Sequence, residues 1–118
     1  MNDKDTTIDN LKIMMKKFVD DRNWNPYHHP KELAIALSIE TNELLELFLF
    51  KNPTLEEIKS NTVLMENIRS EVADVLAYLL SICNALNLDL SDSYSEKMKR
   101  NEIKYPTSKF NRNYEKEK

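Results

Sequence analysis

Glu40 and Glu43 interrupt the apolar stretch LAIALSIETNELLELFLF, and Glu71 and Asp74 interrupt IRSEVADVLAYLLSICNAL. Each pair has i, i+3 spacing, which on an α-helix stacks two side chains on one face about a turn apart. Both pairs fall on or beside the face that the apolar periodicity assigns to burial. Ionised carboxylates are rarely found there unless paired or bound to metal, because desolvation costs on the order of several kcal/mol. Four of them on two helices therefore point to a cation site. Oxygen-only ligation suits hard ions, magnesium or manganese, whereas zinc selects His and Cys and iron-binding bundles use Glu-x-x-His. Neither His28 nor His29 stands in that register to a glutamate. Four negative charges exceed what one divalent ion neutralises, which leaves open two or three ions, or a glutamate free to act as a base. Magnesium keeps several waters and binds phosphates alongside carboxylates, so a nucleotide or another phosphorylated substrate is the expected ligand. Acid content alone selects nothing: Glu32, Glu46, Glu56, Glu57 and Glu66 are assigned to solvated faces or helix caps.

These acids need helices to carry them, and the periodicity supplies four. Ile8, Leu11, Met14, Met15, Phe18 and Val19 recur at helical spacing and place helix one over about 6–22. The segment NWNPYHHP is a ring-rich loop, Pro30 suits the first turn of helix two, and His28 is available either to cap that helix or to face a ligand. Helix two covers about 30–50, with Glu40 on its apolar stripe and Glu43 flanking it. Thr54 with Glu57 reads as a capping box for a short helix or turn before Asn61. Helix three covers about 63–87, with Glu71, Asp74 and Tyr78 along a line beside its apolar stripe. Asp89 or Ser91 caps helix four, about 90–104, and Pro106 stops it.

The fold class is therefore all-α: a four-helix bundle with a short extra helix or turn between helices two and three. Its domain covers 1–106, followed by a polar tail, 107–118, in which only Phe110 and Tyr114 can pack. Helix three is apolar around much of its circumference and must be covered on more than one side, so a homodimer or homotetramer is expected.

A chain of 118 residues suits one domain with a modest core. Its apolar runs are broken well short of a membrane span, so no membrane association is expected. The N-terminal MNDKDTTIDN lacks the apolar segment of a secretory signal, which makes the cytoplasm the expected location. A net charge of -3 provides no broad basic field for nucleic acid. Glycine is absent altogether, which excludes glycine-rich phosphate loops and leaves phosphate to metal and side chains. The single cysteine, Cys83, cannot form an internal disulfide and reads as a small buried hydrophobe.

Three blocks carry a family resemblance. FVDDRNWNPYHHPKELAIALSIETNELLELF sets aromatics, arginine, histidine and proline before the first Glu-x-x-Glu, RSEVADVLAYLL holds a Glu-x-x-Asp, and EKMKRNEIKYP ends in Lys-Tyr-Pro. In this order and spacing they resemble the MazG-like nucleotide pyrophosphohydrolases, especially the small all-α dCTP pyrophosphatase branch. The resemblance spans about 18–106. It implies that Glu40, Glu43, Glu71 and Asp74 hold magnesium, with manganese a possible substitute. It implies hydrolysis of a nucleoside triphosphate to the monophosphate and pyrophosphate, in a homodimer or homotetramer with the site near subunit contacts. Trp24 and His28 match positions near the nucleotide, and Tyr78, Lys97 and Asn101 fall at further matching positions. Phe50 stands where many dCTP-preferring members carry a second tryptophan, and Thr41 and Asn42 stand where a small residue or glycine is common.

Two other readings fit the same residues. One is a broader pyrophosphatase acting on dUTP or noncanonical triphosphates. The other is a noncatalytic helical scaffold whose acids and aromatics serve protein partners.

Overall fold

The computed structural model describes residues 1–112, and among these every regular element is helical. The elements are α1 (Ile8–Asp21), a single 3-10 turn (Asn25–Tyr27), α2 (Pro30–Glu46), α3 (Leu55–Ser60), α4 (Thr62–Leu86) and α5 (Leu90–Lys104). The expected helices three and four are α4 and α5, and the connector between helices two and three is α3. The expected all-α class stands, with five α-helices.

Each helix begins where a side chain can satisfy its first free N–H groups. Thr7 and Asn10 form a reciprocal box at α1: each side chain accepts from the other's backbone N–H. At α2 the cap is His29 rather than His28. Pro30 occupies the first helical position, and His29 Nδ1 accepts from the backbone N–H of Lys31 at 3.4 Å. Thr54 caps α3 by accepting from Glu57 N–H, while its hydroxyl donates to the Glu57 carboxylate. Asn61 closes α3 and caps α4 through its side-chain oxygen on Leu64 N–H. Asp89 caps α5 by accepting from Asp92 N–H.

A chain without glycine must place other residues where the backbone turns left-handed. Asn23 and Asn87, both at φ 52, take two of these positions, which suits asparagine, and Asn87 ends α4 there. Phe50 takes another at φ 60. Helix two is correspondingly shorter than its apolar periodicity suggests. After Glu46 the bonds shorten to i→i−3, with Phe48 on Leu45, Leu49 on Glu46 and Lys51 on Phe48, and the chain reverses at Phe50.

Met1–Asn87 forms one compact unit and the chain from Leu88 on forms a second. In the first, α4 is the central element, packed against α1, α2 and α3. Its buried apolar side chains are Val19, Leu33, Leu80 and Cys83, so the expectation for the lone cysteine holds. Asn84 adds a polar tie: its Nδ2 donates to the carbonyl of Lys12, 2.9 Å away, joining α4 to α1. In the second unit Phe110 sets its ring edge-on to Tyr105, with centroids 5.0 Å apart. Tyr114 lies outside the described residues.

The core is small for the apolar content. Ile13 and Met14 on α1, Ile35 and Ile39 on α2, and Val72 on α4 are among many large apolar side chains left exposed. No single helix among the described residues is long and apolar enough to cross a membrane.

Candidate metal centre and adjoining cavity

Packing α2 against α4 brings the two acidic pairs together. Glu40 and Glu43 of α2 and Glu71 of α4 each offer a carboxylate oxygen, and these oxygens all lie within 4.8 Å of one another. Asp74 follows Glu71 by three residues on α4, and its charge acts on both Glu40 and Glu71. Glu40 Oε2 and Glu71 Oε2 are buried without a hydrogen-bond partner. The surface ion pairs, Lys16–Asp20, Lys17–Asp21, Arg69–Glu66 and Lys99–Glu96, involve none of the four acids.

Such crowding resists ionisation. Burial first, then a hydrogen bond with the Glu43 carboxyl and the charges of Glu43, Asp74 and Glu71, push Glu40 up to about 7. Glu71 also lies above its ordinary value, through burial first and then its interactions with Glu43 and Asp74, partly offset by a hydrogen bond with Glu40. Opposed oxygens on a magnesium ion stand about 4 Å apart. The three carboxylates are thus within a side-chain adjustment of one coordination sphere. An all-oxygen donor set with two orphaned buried oxygens fits a hard divalent cation.

Next to the acids along both helices is a cavity of about 240 Å³. Ala36, one turn before Glu40 on α2, lines it, as does Tyr78, one turn after Asp74 on α4. Trp24, Tyr27, His28 and Leu33 complete most of the wall. The structure therefore gathers Trp24, His28 and Tyr78, three residues singled out from the sequence, into one cavity. The loop positions Trp24: its backbone N–H donates to the carbonyl of Val19 at 3.1 Å, and its ring meets Phe18 edge-on at 5.7 Å. Because His29 does the capping, the His28 side chain is left to line the cavity.

Phe50 does not join this group; its side chain is 98% exposed. Lys97 and Asn101 stand one turn apart on α5 in the second unit, Lys97 exposed and Asn101 half-buried, with Asn101 Nδ2 3.8 Å from Met98 Sδ. Tyr27 and Glu32 also line the cavity without having been singled out. Glu32 lies in the first turn of α2, where an acid is explained by the helix dipole alone, so its sequence carries no further signal.

The MazG-like family model matches residues 35–118, which include both acidic pairs. Over 105 residues the chain is 31% identical to rat dCTP pyrophosphatase 1 and 30% identical to the human protein of the same name. Each match covers 85% of this chain but only 59% of the relative. A crystal structure of a pyrophosphatase from Archaeoglobus fulgidus superimposes with a TM-score of 0.77 at 35% identity, covering 90% of this chain and 98% of that one. The chain belongs to the MazG-like family.

Proposed function

We propose that this chain is a magnesium-dependent nucleotide pyrophosphohydrolase that converts a (deoxy)nucleoside triphosphate, dCTP or a modified pyrimidine dNTP, to the monophosphate and pyrophosphate. The observation that carries the reading is the cluster of Glu40, Glu43 and Glu71, with two orphaned buried oxygens, beside an aromatic cavity. Family membership and the names of the relatives support the same chemistry.

Glu40, Glu43, Glu71 and Asp74 are the metal ligands in this reading, with manganese able to replace magnesium. A bound divalent ion supplies positive charge and Lewis acidity to the phosphate oxygens. One glutamate carboxylate of the cluster takes the proton of the attacking water. Trp24 and Tyr78 offer ring faces to the nucleotide and His28 a polar contact beside them. Phe50 flanks the base, Lys97 offsets charge on the leaving pyrophosphate, and Asn101 is a further substrate contact. The catalytic domain covers 1–106, with 107–118 as a tail.

The working form is a homodimer or homotetramer, because Ile13, Met14, Ile35, Ile39 and Val72 leave apolar surface on three helices to be covered. The test incubates purified protein with each dNTP and magnesium and identifies the products. Absence of pyrophosphate with every dNTP overturns the reading.

A further inference from the structure

A second cavity, of about 190 Å³, lies between α1, the 3-10 turn and α4. Lys16, Asp20, Asn25, His28, Ser81 and Asn84 contribute its polar lining. Ser81 is 3% exposed, and its hydroxyl has no hydrogen-bond partner. A helical serine ordinarily returns its hydroxyl to a carbonyl of the preceding turn; an unmade bond at this depth is costly unless something else makes it.

Several of the neighbouring groups are already engaged. Asp20 accepts from Lys16 Nζ and Asn25 Nδ2, and Asn84 Nδ2 is committed to the Lys12 carbonyl. Ser81 is thus the buried group left to meet an occupant. Asp74, Tyr78 and Ser81 follow one another at i+4 and i+3, along one face of α4. His28 lines both this cavity and the one holding Trp24 and Tyr78. Acids, rings and hydroxyl therefore lie in sequence along α4. A cavity of about 150 Å³ already admits benzene, so this one has room for a single six-membered ring.

We propose that Ser81 is a specificity-determining residue that reads the polar edge of a pyrimidine base seated in the cavity behind His28. The assignment rests on the pyrophosphohydrolase reading. A hydroxyl both donates and accepts, so it serves either pyrimidine edge. A single ring fills the cavity, whereas a purine would project from its open mouth.

The experiment compares the full chain with Ser81→Ala for kcat and KM on dCTP, dTTP, dATP and dGTP, with thermal melting of both proteins. The melting temperature should hold, because the deleted hydroxyl makes no bond within the fold. For dCTP and dTTP, kcat/KM should fall about tenfold, mainly through KM, because the base loses its partner. Both purine substrates should change less than twofold. An equal fall on all four, or no change on the pyrimidines, overturns the proposal. Trp24 is the single tryptophan, so its fluorescence gives a readout free of catalysis. Deoxycytidine should quench wild type and bind Ser81→Ala about tenfold more weakly. Equal binding overturns the base pocket even in an active enzyme, whereas serine-dependent nucleoside binding without pyrophosphate release overturns only the reaction.

Discussion

Glu40 of α2 and Glu71 of α4 each bury one carboxylate oxygen, Oε2, that has no hydrogen-bond partner, and the two carboxylates lie within 4.8 Å of each other. Two like charges brought together by helix packing, without a cation between them, are a cost to the fold. That cost makes the site measurable by stability as well as by turnover.

The first consequence is a pH dependence that magnesium should reverse. Glu40 titrates at about 7 in the fold against an ordinary 4.5, so the ion-free fold holds its proton more tightly than the unfolded chain does. The resulting stabilisation is complete below about 4.5 and is lost as pH rises through about 7. Glu71 moves in the same direction. Metal needs the ionised carboxylates. Thermal melts with and without saturating magnesium should show a stabilisation by the ion that is larger at pH 8 than at pH 5.5. A difference that does not vary with pH would count against the four acids as ligands.

Glu71→Gln separates function from folding at the same place. It keeps the side-chain shape, removes one of the repelling charges and removes a ligand. Loss of a group that merely supports a metal ligand costs about 10- to 100-fold, so activity should fall at least about 100-fold. The ion-free melting temperature should stay level or rise. Full activity in this variant would sink the metal assignment.

Much of this architecture was legible in the sequence. The caps Thr54 and Asp89, with Pro30 and the apolar stripes, marked helix starts, and the acids were conspicuous because they broke apolar runs. The end of helix two was not legible. Leu47 and Phe48 continue its apolar stripe, whereas the backbone has already tightened into i→i−3 bonds before reversing at Phe50. The histidine cap depended on one residue of register, set by Pro30. Ser81 gave no signal, because a small residue within an apolar helix reads as core filler until a cavity is found beside it. The Asn84 bond to Lys12 joins residues far apart in the chain and has no local signature.

Phe50 offers a test in which stability and function should move oppositely. A bulky residue at φ 60 costs about 1–2 kcal/mol, and with its side chain 98% exposed Phe50 recovers little of that through packing. Asparagine tolerates this conformation, so Phe50→Asn should stabilise the isolated chain by about 1 kcal/mol in urea unfolding. If the ring flanks the base as proposed, KM for the preferred dNTP should rise in the same variant. A stabilised variant with unchanged KM would remove Phe50 from the nucleotide site.

The exposed apolar side chains of α2 test assembly. Ile35 and Ile39 are one turn apart on that helix and both remain exposed. A paired surface of this kind, with Ile13 and Met14 exposed on α1, is what a second copy would cover. Sedimentation equilibrium should therefore give a mass two or four times the 13.9 kDa of one chain. Ile35→Glu places a charge on that surface, where burial without a partner is costly, and should shift the distribution toward 13.9 kDa. Circular dichroism should show its helices intact, because Ile35 is outside the packed core. A wild-type protein that sediments as a single chain at about 100 µM would place these isoleucines on an ordinary free surface, since obligate assemblies persist well below that concentration.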